Sequence, residues 1–238
     1  MSDATSIRRV RELSAVSVPE GFRTSGSAPG GTRVLLVRHG EAHCNVGGFV
    51  GGHRGCTGLT ERGHAQAAAL GMYFARRMDL PTPDALYVSE LARARETASH
   101  LPLELWGCEP QPSHEWCEIE PGEADGLSWD EVVSRFGEVD WESDPRQAFS
   151  PGGESRLDFF ERIAGALNEL ARRHPGQFVV VVAHGGVIEQ ALKRAVGADP
   201  SSRLLLRTEH CSFSEFDVSV EGVGLLSYNE RARELTAD

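Results

Sequence analysis

The sequence predicts an α/β fold, a three-layer sandwich in which helices cover both faces of a mostly parallel central sheet. Two short runs, RVLLVR and QFVVVVAH, are apolar and β-branched along most of their length, as expected of strands buried on both faces. Stretches with apolar residues at helical spacing alternate with these runs along the chain. This alternation is typical of parallel sheets that lie between two layers of helices.

The first 31 residues are predicted to be a polar N-terminal tail that precedes one domain of residues 32–238. They are mostly small and polar and end in RTSGSAPGG, a composition typical of linkers. Within them, SIRRVRELSAV has the pattern of one short helix. From Thr32 onward the strand and helix patterns alternate, and the length suits a single sizeable α/β domain.

In the first half of the domain, RVLLVR is the first predicted strand and DALYVS the next. Helices are predicted over TERGHAQAAALGMYFARRM and ELARARETASHL, which follow these strands. LPLELW is predicted as a weaker additional strand. Ser128 and Glu131 in SWDE match a capping box, so another helix is expected to begin there.

In the second half, ESRLDFFERIAGALNELARRH predicts a long helix whose apolar stripe is formed by Leu157, Phe160, Ile163, Leu167 and Leu170. QFVVVVAH follows as a buried strand, and GGVIEQALKRAV opens the next helix. SFSEFDV and GVGLLSY have the alternation expected of a terminal hairpin or edge strands.

The composition argues against several classes of partner. The formal net charge is −11, from 24 Lys and Arg residues against 35 Asp and Glu residues, so bulk electrostatics does not favour nucleic acid or anionic membranes. No apolar run approaches the roughly 20 residues that span a bilayer. Five cysteines without a CxxC pair predict neither a disulfide framework nor structural zinc, and favour a cytoplasmic location. The oligomeric state cannot be read from these features.

Charged and imidazole side chains follow the predicted strands where the strands end. Arg38, His39 and Gly40 follow the first strand, and His184 and Gly185 follow QFVVVVA. The helix after DALYVS carries Arg93 in its first turn. Ligands of such sheets bind beyond the carboxyl ends of the strands. Guanidinium groups and helix-start amides there would neutralise phosphate oxygens, and a neutral imidazole could attack phosphorus.

Six sequence blocks in order carry a resemblance to a known family. They are RHGE with Asn45, LTERGHAQA, SELARARETA, CEIEPGEADG, PGGES and VVAHGG. Over roughly residues 33–228 the chain resembles the histidine phosphatase superfamily, which includes cofactor-dependent phosphoglycerate mutases and many small-molecule phosphatases. The resemblance implies a phosphoglycerate mutase-like fold and hydrolysis of a phosphomonoester through a phosphohistidine.

The resemblance also assigns roles to individual residues. His39 corresponds to the nucleophile, and Arg38, Arg93 and His184 correspond to the phosphate pocket. Glu118 corresponds to the general acid and base, with Glu120 and Glu123 as alternatives in the same acidic segment. Asn45 and Gly185 are expected to contact the substrate, a small phosphorylated metabolite. The resemblance implies that no metal or other cofactor is needed, and the histidines at 39, 43, 53 and 64 match no standard ligand spacing.

The sequence departs from the family pattern at several positions: Ala42, Val50, Cys56, Gly58, Cys117 and His210. Cys117 stands where an arginine is common, and His210 where an asparagine is frequent. The segment around the catalytic glutamate also lacks the long insertion of the mutases, which favours a phosphatase. Mutase-type phosphoryl transfer and a non-catalytic phosphate-binding module remain the alternatives. The glycine-rich loop of residues 46–57 is predicted either to be a mobile lid or to meet turn geometry.

Overall fold

The computed structural model describes residues 30–77, 80–202, 204 and 206–232. Almost all of the predicted N-terminal tail, including its short helix, lies outside these residues. The predicted division at residue 32 therefore stays a prediction.

The core of the structure is a six-stranded sheet with the strand order β3-β2-β4-β1-β5-β6. Strands β1 to β4 are parallel to their neighbours in that set, and β5 runs antiparallel to β1 and β6. The prediction of a mostly parallel sheet is confirmed. The bounds are β1 Thr32–Arg38, β2 Ala85–Ser89, β3 Pro110–Ser113, β4 Phe178–Ala183, β5 Phe213–Ser219 and β6 Gly222–Glu230.

Seven α-helices lie in the described residues, and two short 3₁₀ turns join β3 to the fifth helix. The helices are α1 His43–Gly47, α2 Glu61–Arg76, α3 Ala92–Ser99, α4 Leu103–Trp106, α5 Trp129–Phe136, α6 Arg156–Arg173 and α7 Gly185–Val196. The capping box of Ser128 and Glu131 begins α5 as predicted. In the described residues, no helix combines the length and the apolar character that crossing a bilayer requires.

The helices form two layers because successive residues of each strand point to opposite faces of the sheet. Val34 and Leu36 of β1 pack with residues of α6 and α7 in one hydrophobic cluster. Leu35 and Val37 pack on the other face with residues of α2 and α3. Both faces of the sheet are therefore buried, and the predicted three-layer sandwich is confirmed.

Two details of the prediction are wrong. LPLELW forms the single helical turn α4 rather than a strand, and Gly107 ends it in the left-handed conformation (φ 63°). The strand that does extend the sheet is β3. Its sequence, PQPS, contains two prolines, and prolines normally argue against a strand. Proline is tolerated there because β3 is an edge strand, pairing only with β2.

The buried stripe of α6 also differs from the predicted one by a small rotation. Phe159 is buried in the core, whereas Leu157 and Phe160 are only half-buried. Ile163, Leu167 and Leu170 are buried as expected.

Helices α2 and α3 approach each other closely at one glycine. A Cβ atom on Gly71 of α2 would overlap the backbone carbonyl oxygen of His100, which caps α3. Gly165 in the middle of α6 is exposed, and a Cβ atom there would meet nothing within 4 Å. A substitution at Gly71 therefore tests the close packing of the two helices, whereas a substitution at Gly165 tests helix propensity alone.

We expect Gly71→Ala to lower the free energy of unfolding by about 1–3 kcal/mol, because α2 must move away from the backbone of α3. Gly165→Ala should raise it by about 0.5–1 kcal/mol, since alanine is the better helix former. Urea unfolding followed by circular dichroism measures both. Stabilisation by Gly71→Ala would contradict the close approach of the two helices.

Candidate active site

The register of the central strands brings the two predicted histidines together. Arg38 of β1 lies opposite Ala183 of β4, so the residues that follow each strand leave the sheet side by side. The amide of His39 donates to the carbonyl oxygen of Ala183 at 3.0 Å. The imidazole centroids of His39 and His184 are 5.1 Å apart.

The end of β2 contributes to the same edge of the sheet. Ser89 is its last residue, and its hydroxyl oxygen lies 2.7 Å from Nε2 of His184. Helix α3 starts three residues later and carries Arg93, which is only 4% exposed. The residues that follow the three parallel strands β1, β2 and β4 thus lie close together, as expected at the carboxyl edge of such a sheet.

The side chain of His39 is held in one tautomer. Its Nδ1 lies 2.6 Å from the carbonyl oxygen of Gly40, which can only accept, so Nδ1 carries the proton. Nε2 then has the lone pair and accepts a hydrogen bond from Nε of Arg93 at 3.1 Å. Burial, with the charges of Arg93 and Arg38, holds the pKa of His39 well below its ordinary value. A neutral imidazole with an available Nε2 is the form that can act as a nucleophile.

The two predicted arginines lie on either side of His39. Arg93 donates from Nη1 to the carbonyl oxygen of Gly51 at 2.6 Å. Arg38 donates to the carbonyl oxygen of Thr208 and, at 3.1 Å, to Nε2 of His210. Neither guanidinium donates a hydrogen bond to a carboxylate in the described part of the chain, so both keep positive charge available for an anion.

Two buried polar atoms beside His39 have no hydrogen-bond partner among the described residues: Nε of Arg38 and Nδ1 of His184. A buried polar atom without a partner costs about 1–3 kcal/mol. His184 is completely buried, and burial, with the charges of Arg93 and neighbouring groups, holds its pKa well below the ordinary value. An anion with several oxygens, bound next to His39, would supply the missing acceptors. Phosphate has this shape and charge.

Glu118 is the candidate acid that lines the cavity, and its carboxylate is held by two backbone amides. Gly186 donates to Oε2 at 3.0 Å, and Ile119 donates to Oε1 at 3.1 Å. A Cβ atom on Gly186 would overlap this carboxylate, so the contact requires glycine there. The alternative Glu123 is exposed on a 3₁₀ turn, and the carboxylate of Glu120 lies near His53, outside the cavity.

Arg162 of α6 positions the backbone that carries Glu118. It forms a two-point ion pair with Glu154, both contacts at 2.7 Å. The same guanidinium donates to the carbonyl oxygens of Glu115, Cys117 and Glu118, at 2.8, 3.0 and 3.2 Å. The loop after β3 has little regular structure, so this one side chain supplies much of its hydrogen bonding.

The two predicted substrate contacts differ in their surroundings. Gly185 lines the cavity at the start of α7, where a Cβ atom would lie 3.5 Å from Nε of Arg38. Asn45 also lines the cavity, and its Oδ1 accepts from the amide of Ala42 at 3.0 Å and lies 3.2 Å from Nε2 of His210. Burial, with the charge of Arg38, lowers the pKa of His210 to about 4, so this imidazole is neutral and accepts from Arg38.

The site opens into a cavity of about 320 Å³, a size that suits a small molecule. Its floor is formed by Arg38, His39, Arg93 and Glu118. Its outer part is largely apolar and is lined by Phe49, Val50, Ile119, Trp129, Phe149 and Leu206. Trp129 and Leu206 are 52% and 41% exposed, so they form an apolar rim. One acidic side chain, Glu189, also lines the cavity.

The glycine-rich loop is clamped rather than free. The carboxylate of Asp125 accepts from the amides of Gly52, Arg54 and Gly55 at 2.7–2.9 Å. A Cβ atom on Gly52 would collide with Asp125 and Pro121. These glycines therefore meet packing requirements, which favours the structural explanation of the loop over the mobile lid.

Two contributors to this site were not singled out from the sequence: Ser89 and Arg162. Ser89 had a usable signal, because it ends a predicted strand beside the one that delivers His184. Arg162 had none, since it lies on the polar face of a long helix and its partners are backbone carbonyls distant in sequence.

Potential metal ligands lie outside this cavity. The two guanidiniums beside His39 and His184 would repel a cation there. A separate group comprises His53, His114, Cys117 and Glu120. Of the four histidines that match no ligand spacing in the sequence, His53 is the one that belongs to this group.

Several known proteins that are similar to this chain are phosphatases. A metal-independent phosphoserine phosphatase of Arabidopsis thaliana is 31% identical over 177 residues, which cover 73% of this chain and 73% of the relative. Phosphoserine phosphatase 1 of Hydrogenobacter thermophilus is 30% identical over 186 residues, covering 76% and 84%. The solved structure of a putative α-ribazole-5′-P phosphatase of Escherichia coli K-12 superposes with a TM-score of 0.73 and 26% identity. That match covers 86% of this chain and 99% of the other.

The family profile described as histidine phosphatase superfamily (branch 1) matches residues 34–231, which contain all the predicted site residues. The match spans most of the chain, from the second residue after the start of β1 to the residue after β6. This chain belongs to branch 1 of the histidine phosphatase superfamily.

Proposed function

We propose that this chain hydrolyses small phosphomonoesters without a metal ion, through a phosphohistidine formed on Nε2 of His39. The observation that carries the proposal is the fixed tautomer of His39, whose Nδ1 donates to Gly40 and whose unprotonated Nε2 faces the guanidinium of Arg93. The unpaired Nε of Arg38 and Nδ1 of His184 support it, because a phosphoryl group could pair with both. Relatives named as phosphatases, one of them as a metal-independent phosphoserine phosphatase, agree with this chemistry.

In the first step, Nε2 of His39 attacks phosphorus and the bond to the ester oxygen breaks. Arg38 and Arg93 neutralise the oxygens of the transferring group, a task for which the planar guanidinium is suited. The electron pair leaves with the ester oxygen, which takes a proton from the carboxyl group of Glu118. The alcohol then departs through the apolar part of the cavity.

In the second step, a water molecule attacks the phosphorus of phosphohistidine. The carboxylate of Glu118 takes a proton from that water as the N–P bond breaks. Free phosphate leaves, and His39 and Glu118 return to their starting forms. Each step uses groups that line the same cavity, and neither needs a metal ion.

We propose that the preferred substrates carry an apolar or aromatic alcohol. The outer cavity is formed mainly by aromatic and aliphatic side chains, with Trp129 and Phe149 in edge-to-face contact at 6.0 Å. Arg38 and Arg93 are the cationic residues among its described lining, and both face the phosphoryl position. A carboxylated leaving group would meet this apolar wall and Glu189, whose own carboxylate is already paired with Arg156 and Lys193, and no further cation of the cavity lining.

The cellular setting is also part of the proposal. All five cysteines are free thiols in the structure, and a cytoplasmic location would keep them reduced. The formal net charge of −11 disfavours nucleic acid and anionic membranes as partners, so a small anionic substrate would be held locally by the two placed arginines.

We expect His39→Ala to abolish turnover, because the attacking nitrogen is lost. Wild-type protein quenched during turnover of a ³²P-labelled ester should contain acid-labile, base-stable phosphoprotein, and His39→Ala should contain none. His43→Ala is the matched control, since His43 is exposed on the neighbouring helix α1. Full turnover in His39→Ala, or loss of wild-type activity in excess EDTA, would contradict the proposal.

Glu118→Gln should slow the phosphorylation of His39 to an extent that depends on the leaving group of the substrate. Hydrolysis of an alkyl phosphate should fall by about 10²–10⁴-fold, because the alkoxide is no longer protonated. Nitrophenolate needs almost no protonation, so p-nitrophenyl phosphate should still give a fast burst of nitrophenol followed by slow turnover. Stopped-flow absorbance measures the burst, with Glu123→Gln as the exposed control. Equal losses for both leaving groups in the burst phase would argue against Glu118 as the acid.

Trp129→Ala should raise KM for an aryl phosphate by about tenfold, which corresponds to the loss of roughly 1.4 kcal/mol of apolar contact. KM for a small polar ester such as glycerol phosphate should change much less. Val133→Ala is the control, because Val133 is an exposed apolar residue of the same helix that does not line the cavity. Equal changes of KM for both esters would remove Trp129 as a determinant of specificity.

A further inference from the structure

Four side chains with metal-binding atoms meet beside the Glu118 segment, outside the catalytic cavity. They are His53 in the glycine-rich loop, His114 and Cys117 at the two ends of a 3₁₀ turn, and Glu120. Their donor atoms all lie within 4.8 Å of one another. Nε2 of His53 and Nε2 of His114 lie 3.9 and 3.8 Å from Oε1 of Glu120.

The donor set and its dimensions suit zinc. Two imidazole nitrogens, one thiolate and one carboxylate are ligands that zinc takes in tetrahedral sites. Metal–ligand bonds of about 2.0–2.3 Å place tetrahedral ligand atoms roughly 3.3–3.8 Å apart. The imidazole nitrogens lie 3.8 and 3.9 Å from Glu120 and all four donor atoms lie within 4.8 Å, so shifts of up to about 1 Å by the exposed side chains of His53 and His114 would close the site around an ion. Magnesium and calcium prefer oxygen ligands, so this set disfavours them.

The surroundings of His114 provide an independent observation. Its second ring nitrogen, Nδ1, faces a carboxylate oxygen of Glu90 at 3.9 Å. Histidines that bind zinc commonly turn their other nitrogen to a carboxylate, which fixes the ring and makes it a better ligand. Cys117 is completely buried beneath the two exposed histidines, so an ion would be held between solvent and the protein interior.

We propose that His53, His114, Cys117 and Glu120 bind a zinc ion, and that the bound ion inhibits the reaction in the adjacent cavity. The binding part stands independently, whereas the inhibition rests on the proposed phosphatase function. This ion would be regulatory and take no part in the phosphoryl transfer.

The coupling follows a short chain of hydrogen bonds. Oγ of Ser89 lies 3.4 Å from Sγ of Cys117 and 2.7 Å from Nε2 of His184, so its single hydroxyl proton can be donated to either partner but not to both. A zinc-bound thiolate has no proton and accepts more strongly, so it keeps the single hydroxyl proton of Ser89. The Ser89 oxygen must then accept from Nε2–H of His184, which leaves Nδ1 without a proton. A neutral His184 in that tautomer cannot donate from Nδ1 to a phosphoryl oxygen.

The ion would also restrain the catalytic carboxylate, because Cys117 and Glu120 lie on either side of Glu118 in the chain. Glu118 must exchange a proton with two different oxygens during the reaction, so a fixed segment is a second reason to expect slower turnover.

Metal binding is tested without activity, on protein free of any polyhistidine tag. Titration with Co²⁺, a spectroscopic substitute for Zn²⁺, should produce a thiolate-to-cobalt charge-transfer band and the visible bands of tetrahedral cobalt. Addition of Zn²⁺ should displace these bands, and Mg²⁺ should not. His53→Gln/His114→Gln should weaken cobalt binding by at least about tenfold, because half of the ligands are gone. Absence of the charge-transfer band would overturn the site.

Inhibition is tested with the same variants. Zn²⁺ should reduce the hydrolysis of p-nitrophenyl phosphate by wild type, and EDTA should restore it. His53→Gln/His114→Gln should keep its activity and lose the sensitivity to zinc. The control is His64→Gln/His100→Gln, a second histidine pair whose ring nitrogens lie 3.1 Å apart and which does not belong to the group with Cys117. It should remain as sensitive as wild type.

Unchanged zinc sensitivity in His53→Gln/His114→Gln would place the inhibitory ion elsewhere, for example on the catalytic histidines, and would overturn the proposal. Cobalt binding through the thiolate without any inhibition by zinc would overturn the coupling. Wild type without phosphatase activity in metal-free buffer would instead be a failure of the proposed function, and the cobalt spectrum would still decide the binding site.

Discussion

Two guanidinium groups beside neutral imidazoles, that of Arg93 buried and that of Arg38 half-buried, are the constraint on which the rest of the site depends. Arg38 and Arg93 donate to carbonyl oxygens and imidazole nitrogens, and not to a carboxylate in the described part of the chain. Buried charge without a counter-ion is costly, so the surrounding structure must hold it in place. Burial, together with this charge, lowers the pKa of His39 and His184, which keeps both neutral. A bound phosphoryl group would relieve the cost and use the neutral nucleophile at once.

The scaffold holds this arrangement through close backbone contacts and a few long side chains. A Cβ atom on Gly40 would lie 2.6 Å from the carbonyl oxygen of Gly63, so the turn after β1 rests directly on α2. Asp125 clamps the glycine-rich loop, and Arg162 clamps the Glu118 segment, each through several backbone groups. A site built from irregular segments therefore gains its rigidity from side chains at a distance from the reacting atoms.

The sequence predicted the fold class, the central strands and the family correctly, because these depend on local patterns and on ordered blocks. β4 is buried throughout and β1 at all residues but Arg33 and Arg38, and helices begin at recognisable caps such as Thr60 and Ser155. It failed where tertiary context decides. PQPS forms an edge strand only because β2 is beside it, and LPLELW becomes a helical turn. The approach of His39 to His184 could be predicted because both residues follow the ends of central strands. The contacts of Arg162 could not be predicted, because they join residues more than 40 positions apart and leave no local sequence pattern.

The positions that depart from the family pattern are compensated locally. His210 accepts from Arg38 through a neutral Nε2, as the carbonyl oxygen of an asparagine side chain could. Gly58 has a positive φ of 98°, and a Cβ atom there would collide with Glu96, which accepts from the amide of Leu59. Cys117 is different, because its neutral thiol does not supply the positive charge of the arginine that is common at this position. The support that an arginine could give this loop comes from Arg162 instead, which binds its carbonyls from the helix behind it. Cys117 is therefore not needed to support the loop. Its sulfur can instead link the surface histidines to Ser89 and His184.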